Sequence, residues 1–275
     1  MLCFVNFGGV QVELLIFKDR LNNGGLYQRM EEILPAFAEV LGRLTHTRFP
    51  SPGPPPIMLA FFAPITRGAV MLAIVDYDAG NLRSVQRACH HVGIEAEITS
   101  DPKVVMAAER VIFPGVGAAT SAVDTLAKSG LGDALKAVFE AGTPILGICL
   151  GSQIVLEHTE EDNRDCLGLI EGACQRFDFA DRNLKVPHIG WNEIDVRQPH
   201  PLLRHVESGQ QFYFVHSYYA VPLSQDNIVC TTNYGIEFCS AVGRDNLFAS
   251  QFHLEKSGET GLTVLAEFAN WDGTC

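Results

Sequence analysis

The stretch Thr143-Pro-Ile-Leu-Gly-Ile-Cys-Leu-Gly-Ser-Gln153 places a cysteine between an apolar run and a segment of helical character. The run from Pro144 to Ile148 is typical of a short buried strand, and residues Gln153 to His158 are predicted to form a helix. Cys149 therefore stands at a strand-to-helix junction.

The residues around Cys149 favour a nucleophile. Gly147 and Gly151 lie two positions on either side, and small neighbours allow a sharp, strained turn that leaves the cysteine side chain exposed. A thiol at a helix N-terminus also lies where the helix dipole favours the thiolate and where N–H groups can bind an oxyanion. The alternative is a buried structural cysteine.

The composition limits the classes of protein to consider. The chain has 275 residues, 47% of them apolar and 19% charged, as in an ordinary globular protein of one large domain or two small ones. A net charge of −12 gives no electrostatic support to a nucleic-acid partner. The start of the chain lacks the pattern of a secretory signal, and Pro64, Arg67 and Gly68 interrupt the apolar segment 57–75, so no membrane span is expected.

The eight cysteines are scattered and form no C-x-x-C pair. This spacing predicts neither a zinc site nor a disulfide framework, and it is typical of reduced thiols in a cytoplasmic protein. We therefore expect no metal and no cofactor.

The chain is predicted to divide near residue 70. Residues 1–70 include a possible amphipathic helix, Leu26 to Leu44, and a proline-rich spacer, 49–56, but no catalytic pattern. Residues 71–275 begin with the strand-like Leu72-Ala-Ile-Val75. One hypothesis is that 1–70 form an extension of unknown role, and a second is that a start codon placed too far upstream produced this segment.

From Met71 onward, strands and helices are predicted to alternate. The predicted strands are 72–75, 95–99, 110–113 and 144–148, and the predicted helices are 81–92, with Asn81 as its N-cap, a short one after Asp101-Pro102, one through about 126, and 131–141. After about Gly168 the pattern changes to short β-like runs, at 174–179, 211–215, 228–232, 238–242 and 248–252, before a closing helix, 258–271. The expected fold is α/β, a mostly parallel sheet flanked by helices, with antiparallel strands in the latter half.

A thiol nucleophile requires a base and a group that orients the base. Among nine histidines, His253 is the best candidate, because it ends a predicted strand and Glu255 follows two residues later. In an extended segment these two side chains point the same way, so Glu255 can accept a hydrogen bond from the imidazole of His253. His-x-Glu also occurs by chance, but its order after the cysteine turn strengthens the interpretation.

Six stretches carry a further signal. They are Val75-Asp-Tyr-Asp-Ala-Gly-Asn-Leu-Arg-Ser-Val85, Pro114-Gly-Val-Gly117, Gly147-Ile-Cys-Leu-Gly-Ser-Gln153, Val186-Pro-His-Ile-Gly-Trp-Asn192, Tyr213-Phe-Val-His-Ser-Tyr218 and Gln251-Phe-His-Leu-Glu-Lys-Ser257. On these stretches residues 71–275 resemble class I glutamine amidotransferases, and among them the glutaminase subunits of imidazole glycerol phosphate synthases of histidine biosynthesis.

The resemblance implies roles for particular residues. Cys149 attacks the side-chain amide of glutamine, His253 transfers the proton and Glu255 holds His253. The oxyanion is bound by backbone N–H groups of Leu150 and of the Val116–Gly117 loop. The positions implied to bind substrate are Gln153, Glu161, His216 and Ser217.

The resemblance also implies a partner, because ammonia released into bulk water would be protonated and lost. That partner is a cyclase subunit with a (β/α)₈ barrel, which forms a heterodimer with the glutaminase and receives the ammonia. The residues that map to the interface are Pro187, His188, Trp191, Asn192, Tyr213 and Lys256.

Three residues depart from the family pattern. Leu254 replaces a proline, and we expect it to point away from His253 and Glu255 in an extended segment with a looser backbone. Asp78 replaces a glycine, and it tolerates a left-handed conformation better than most residues do. Ser152 replaces a methionine, which we interpret as a change in packing.

Two alternatives remain open on the sequence. The chain could supply ammonia to another synthase, such as those for anthranilate or pyridoxal phosphate, or it could be a non-catalytic regulatory subunit of the same fold. The Pro187–Asn192 stretch speaks against the first alternative, and the intact Cys149, His253 and Glu255 speak against the second.

Overall fold

The computed structural model describes the backbone of residues 2–7 and 10–15, and residues 72–181 and 183–274 in full. The chain divides into two compact units, residues 1–63 and 64–275. In the first unit, β1 (Leu2–Phe7) and β2 (Val10–Leu15) pair as an antiparallel hairpin. The helix predicted at Leu26 to Leu44 and the spacer at 49–56 lie outside the described residues.

The second unit begins with the predicted alternation of strands and helices, which is confirmed. Its strands are β3 (Leu72–Val75), β4 (Ala96–Thr99), β5 (Arg110–Gly115) and β6 (Ile145–Cys149). Its helices are α1 (Leu82–His91), α2 (Pro102–Ala107), α3 (Ala119–Ser129) and α4 (Leu131–Glu140). The four strands pair in parallel in the order β4-β3-β5-β6, so their carboxyl ends share one edge, where ligands bind in open α/β sheets.

The latter half supplies mainly antiparallel strands, as predicted. After α5 (Leu150–Ile154) come β7 (Leu156–Thr159), β8 (Arg164–Asp165), β9 (Ile170–Arg176), β10 (His188–Glu193), β11 (Asp195–Val196), β12 (Gln211–His216), β13 (Tyr218–Pro222), β14 (Ile228–Asn233), β15 (Glu237–Arg244), β16 (Leu247–Ser250) and α6 (Gly258–Phe268). Short 3₁₀ turns lie at Glu161–Asn163, Pro201–Leu203, Gln225–Asn227 and Leu254–Lys256.

Strand β16 joins the two halves of the sheet. It pairs in parallel with β6 and antiparallel with β15, and the sheet continues through β13, β9, β7 and β8, with β14 and β11 attached beside β15. Strands β10 and β12 form a separate antiparallel ribbon, in which His188 faces His216 and Trp191 faces Tyr213. The residues that follow β6 and β16 therefore start from neighbouring strand ends.

The helix predicted at Gln153 to His158 is wrong in its position. The helix α5 occupies residues 150–154, and residues 156–159 form β7, which pairs in parallel with β9. Hydrogen bonds from Leu167 and Leu169 to Ile154 and Val155 end the helix early. Pairing with a strand that lies later in the chain thus overrides local helical character.

Alternate residues of the parallel strands face two different layers of the core. Ile74, Ile112 and Leu146 pack on one side of the sheet with α1 and α6, whereas Val75 and Phe113 pack on the other side with α3 and α4. All five are at most 1% exposed. Truncation of a buried phenylalanine to alanine typically costs about 3–5 kcal/mol, so these two layers hold the strand ends in place.

Two further properties concern the described residues only. None of their helices is both long and apolar enough to cross a membrane. The six cysteines of the fully described ranges 72–181 and 183–274, Cys89, Cys149, Cys166, Cys174, Cys230 and Cys239, are all free.

Candidate active site

Cys149 occupies a strained position at the end of β6. Its φ of 55° and ψ of −105° lie where a residue with a side chain is rarely found. A Cβ atom added to Gly147 would lie 2.6 Å from the Cβ atom of Ala249, and one added to Gly151 would lie 1.9 Å from the carbonyl oxygen of Phe113. Both glycines are therefore required by close packing against β16 and β5, which holds the turn.

A cavity of about 460 Å³ opens beside Cys149. Eight of the predicted site residues line it: Val116, Gly117, Cys149, Leu150, Gln153, Glu161, His216 and Ser217. Two residues of the predicted interface, Pro187 and Lys256, also line it, together with Val215 and Tyr218. The structure thus brings together the residues for which nucleophilic, oxyanion-binding and substrate-binding roles are predicted.

His253 and Glu255 lie after β16, where His253 precedes the 3₁₀ turn at Leu254–Lys256 and Glu255 lies within it. The Nδ1 atom of His253 is 2.7 Å from Oε1 of Glu255, and both side chains are fully buried. The pairing agrees with the prediction, but the predicted extended backbone is wrong. Hydrogen bonds from Lys256 N to His253 O and from Ser257 N to Leu254 O curl the segment into a turn.

Three further hydrogen bonds fix this turn. The His253 N–H donates to Tyr213 O at 2.9 Å, and Ser257 Oγ donates to His253 O while it accepts from Tyr213 N. Leu254 is fully buried in the core.

The pair of His253 and Glu255 is held in its charged form. Burial acts to lower the pKa of His253, but the interactions with Cys149 and Glu255 outweigh burial and raise that pKa to about 9. Burial acts to raise the pKa of Glu255, but its hydrogen bonds with His253 and Asn81 keep that pKa below the ordinary value. The Nε2 atom of His253 is buried and has no hydrogen-bond partner among the described residues, which leaves it available for proton transfer.

Asn81 is a site residue that the sequence did not reveal. It precedes α1 as predicted, but it has a left-handed φ of 80° and its side chain makes no capping hydrogen bond. Instead Nδ2 of Asn81 donates to Oε1 of Glu255 at 2.6 Å. Asn81 thus holds the predicted N-cap position, but its side chain does not cap the helix, because a buried carboxylate 174 residues away takes its donor.

Glu161 lines the cavity and also supports the oxyanion loop. Its Oε2 accepts a hydrogen bond from the N–H of Ala119 at 2.6 Å, at the N-terminus of α3, where Ala118 in the cap position has no side chain that can accept. Gly117, two residues earlier, has a φ of 127°, a conformation that favours glycine. The glutamate thus fixes one end of the loop that contains Val116 and Gly117.

His216 and His188 form a second buried pair. The Nδ1 atom of His216 lies 2.8 Å from the carbonyl oxygen of Tyr218, so it carries the proton and donates. Nε2 of His216 then accepts from Nδ1 of His188 at 3.0 Å, and Nε2 of His188 accepts from Asn192. Burial lowers the pKa of His216 to about 3 and that of His188 to about 4. Both rings are neutral.

The outer face of the β10–β12 ribbon holds most of the predicted partner surface. Trp191 is 54% exposed and packs edge-on against Tyr213, while Lys256 lies over the ring of Tyr213. Ile189, which was not predicted, is 60% exposed on the same face.

The assignment of His188 to this surface is wrong, because its side chain is 3% exposed and points inward. Asn192 is half-buried, and its side-chain amide donates to Asn233 O and to His188.

The other departures from the family pattern are accommodated. Asp78 adopts a left-handed φ of 63°, as predicted, and its N–H donates to the Asp76 carboxylate. Ser152 is buried, and its hydroxyl donates to the carbonyl oxygen of Cys149 at 2.7 Å. Among the fully described ranges, no three His, Cys, Asp or Glu side chains are grouped so that they could hold a metal ion.

Comparison with known proteins gives consistent matches. The model of the family described as glutamine amidotransferase class-I matches residues 73–270. The imidazole glycerol phosphate synthase subunit HisH of Nitratidesulfovibrio vulgaris (strain DP4) is 48% identical over 203 residues, which are 72% of this chain and 95% of that protein. The protein of the same description from Aromatoleum aromaticum (strain DSM 19018 / LMG 30748 / EbN1) is 46% identical over 208 residues, 73% of this chain and 98% of that protein.

A solved structure supports the fold. A crystal structure of a glutamine amidotransferase superposes with a TM-score of 0.57 at 19% identity, covering 72% of this chain and 99% of the other. At this level of identity the likeness concerns the fold alone.

Proposed function

We propose a mechanism of glutamine hydrolysis for this chain, which belongs to the class I glutamine amidotransferases and among them to the HisH subunits of imidazole glycerol phosphate synthase. The observation that carries the proposal is the arrangement of Cys149 on a strained turn, beside a cavity, with the charged pair of His253 and Glu255 behind it.

In the first half of the reaction, the Cys149 thiolate attacks the side-chain amide carbon of glutamine. The C–N bond breaks as His253, which is protonated at neutral pH, gives its Nε2 proton to the leaving nitrogen, and ammonia departs. The pKa of about 9 suits His253 to act as this acid. Glu255 holds the ring through Nδ1 and stabilises its charge.

In the second half, water attacks the glutamyl thioester. Neutral His253 takes a proton from that water, the C–S bond breaks, and glutamate leaves with the Cys149 thiolate restored. The developing oxyanion in both halves would be bound by the N–H of Leu150 and by one from the Val116–Gly117 loop. Loss of one such donor typically costs about 2.7–4 kcal/mol of transition-state stabilisation.

The polar ends of glutamine would be held by residues that line the cavity. Gln153 and Glu161 supply acceptor oxygens toward it, and His216 and Ser217 form the wall contributed by the end of β12. Glu161 is also bonded to Ala119, so substrate bound to this carboxylate would be linked to the oxyanion loop.

The ammonia would pass to the cyclase subunit of the synthase. HisH subunits work with such a partner, and the proposal adds that it is a (β/α)₈ barrel that forms a heterodimer with this chain. The proposed docking surface is the exposed face of β10 and β12 with Pro187, Ile189, Trp191, Tyr213 and Lys256. It supports docking at this place because its apolar side chains are exposed next to the cavity rim.

The test is release of glutamate from glutamine by the purified chain, alone and with the cyclase subunit and its ribotide ligand. We expect low activity alone, a large rise with partner and ligand, and none from Cys149→Ala under either condition. Activity that persists in Cys149→Ala would overturn the mechanism, and absence of any rise with the cyclase would direct the search to another synthase.

Trp191→Ala tests the docking surface. Because an exposed, central tryptophan often dominates an interface, we expect affinity for the cyclase to fall by about 30-fold or more. Isothermal titration calorimetry measures the change. The control is Leu223→Ala, because the Leu223 side chain is 72% exposed but lies directly after β13 rather than on the ribbon of β10 and β12.

A further inference from the structure

Gln251 connects the nucleophile to a substrate-facing amide. It follows directly after β16 and is 1% exposed. Its Nε2 atom donates to Sγ of Cys149 at 3.7 Å, and its Oε1 accepts from Nε2 of Gln153 at 3.1 Å. The backbone N–H of Gln251 donates to Ser240 O at 2.9 Å, which fixes the residue to β15. One buried side chain thus contacts both groups from a rigid position.

These contacts determine which way the Gln153 amide faces. Its Nε2 donates to Gln251 Oε1 and also to Tyr218 O at 3.2 Å. An amide nitrogen has two hydrogens, so both are used, and Oε1 is the polar atom left for the cavity. The reversed amide would place its oxygen against two other acceptors, which is unfavourable.

The surroundings of Sγ also depend on Gln251. Val215 O lies 3.9 Å from Sγ on another side and can accept from the protonated thiol. When the proton is lost, that contact becomes repulsive, whereas the N–H of Gln251 points toward the charged sulfur. Hydrogen bonds to a charged acceptor are stronger than those between neutral groups. Ionisation therefore moves the favourable contact of the sulfur from Val215 to Gln251.

We propose that Gln251 is a positioning residue both for the attack by Cys149 and for recognition of the substrate by Gln153. It holds the Cys149 thiolate in one orientation, and it fixes the Gln153 amide so that an acceptor oxygen meets a nitrogen donor of the substrate. The second role rests on the proposed function, in which the substrate is glutamine; the first role does not.

Two substitutions separate these roles. Gln251→Leu removes both contacts, and Gln251→Glu keeps an acceptor for Gln153 but replaces the donor beside sulfur with a negative charge. Ser250→Ala is the matched control, because it removes a buried hydrogen bond to Phe252 O from the same strand without touching the cavity.

The first measurement is the pH dependence of Cys149 alkylation by iodoacetamide, which needs no glutaminase activity. With Gln251→Leu we expect the rate at neutral pH to fall by about 10- to 100-fold, in line with the loss of a hydrogen bond to a charged group. The rate profile should shift to higher pH, and further with Gln251→Glu. Ser250→Ala should leave the profile unchanged.

The second measurement is steady-state glutamate release by the full chain with its cyclase partner. Gln251→Leu should lower kcat and raise KM by about 10-fold, whereas Gln251→Glu should lower kcat with KM close to that of the unmodified chain. Repeating the assay with 4-carbamoylbutanoate, which lacks the α-ammonium, identifies the donor. Ammonia release is followed for both substrates, because hydrolysis of this analogue yields glutarate rather than glutamate. If Gln251→Leu raises KM for glutamine alone, the α-ammonium is the donor that meets the oxygen of Gln153. If KM rises for both substrates, the donor is the side-chain amide of the substrate.

The proposal is overturned if Gln251→Leu only lowers the melting temperature, with alkylation and kinetic constants within about twofold of the unmodified chain. Failure of the unmodified chain to hydrolyse glutamine would instead refute the proposed function, and the alkylation profiles would still test the role of Gln251 toward Cys149. Circular dichroism confirms that each variant is folded.

Discussion

Two buried histidines in this protein, each paired with a different kind of side chain, have opposite charge states: one is protonated and the other is neutral. His253 lies beside Glu255 and its pKa is raised to about 9, whereas His216 lies beside His188 and its pKa is lowered to about 3. In both cases burial alone acts to lower the pKa of the ring. The partners decide the outcome, because the Cys149 sulfur and the Glu255 carboxylate compensate the charge of an imidazolium at His253, whereas a second imidazole does not do so at His216.

The difference separates a reactive pair from a supporting pair. In the charged pair, Glu255 occupies Nδ1 of His253, and Nε2 has no hydrogen-bond partner in the part of the chain that the structure describes, so a proton can be exchanged there. In the neutral pair, both nitrogens of His216 are hydrogen-bonded, to Tyr218 O and to His188. The charge of His253 also contributes to keeping His216 neutral, so the two pairs are electrostatically linked.

Glu255→Gln breaks the charged pair and has the largest expected effect. Without the carboxylate, the His253 ring loses both its orientation and the charge that stabilises the imidazolium. We expect kcat to fall by about 10³- to 10⁴-fold, as when the orienting acid of a serine-protease triad is replaced by its amide. Glutamate release with the partner measures this change.

The control for Glu255→Gln is Glu259→Gln. Glu259 is an exposed carboxylate in the first turn of α6, so its replacement should leave kcat unchanged. If Glu255→Gln retains more than about a tenth of the activity, orientation of the base by this carboxylate is not required.

The dependence of stability on pH should distinguish the two pairs by sign. Below pH 6.5 the unfolded chain protonates His188 and His216, but the folded chain does not until pH reaches about 4 and 3. Stability contributed by these residues therefore falls as the pH falls, by about 1.4 kcal/mol per pH unit for each histidine. His253 acts in the opposite sense, because its raised pKa makes stability fall as pH rises from 6.5 through about 9.

Urea unfolding between pH 5 and 9 measures both slopes. His200, whose pKa is lowered to about 4 by burial, adds to the acid slope. A stability curve that stays flat between pH 6.5 and 5 would contradict the neutral state of the buried histidines.

The partner of His253 could be predicted from the sequence, but the partner of His216 could not. The pairing of His253 with Glu255 follows from the spacing of two residues, although the backbone there is a 3₁₀ turn rather than a strand. His188 was assigned to the partner surface, because the sequence does not show that it faces His216 across β10 and β12. Periodicity identifies strands and helices, whereas the partner of a buried side chain depends on which strands become neighbours.

The same limit applies to the amide residues of the site. Asparagine is a residue type that favours N-cap positions, and only the fold shows that the side-chain Nδ2 of Asn81 donates to Glu255. Gln251 lies in a quoted motif, two residues before His253, but its contacts with Cys149 and Gln153 join two distant parts of the chain. The strand–helix alternation needed no such information, because each of those elements is specified locally.

Asn81→Ala sharpens the comparison by weakening the charged pair without removing it. Asn81 donates to the same oxygen of Glu255 that faces His253, and this hydrogen bond contributes to the lowered pKa of Glu255. Its removal should raise the pKa of Glu255, move the acid limb of the kcat profile to higher pH and lower kcat by about 10-fold. Gln86→Ala, on the same helix, is the control, since the side chain of Gln86 bonds to Arg83 and to Ala96 O rather than to Glu255. An unchanged acid limb would exclude Asn81 from the orientation of Glu255.

His188→Gln has the smallest expected effect on activity and tests whether the neutral pair is only a support. The glutamine amide can donate to Nε2 of His216 in place of the imidazole, but it cannot stack on Phe214 and Tyr234 as the ring does. We expect the protein to lose about 1–2 kcal/mol of unfolding free energy and the acid slope of its stability to become shallower. Glutamate release should stay within about threefold, because no proton is transferred through His188 in the mechanism. A loss of activity greater than about 10-fold in a folded variant would show that the neutral pair takes part in the chemistry and that its separation from the charged pair is incomplete.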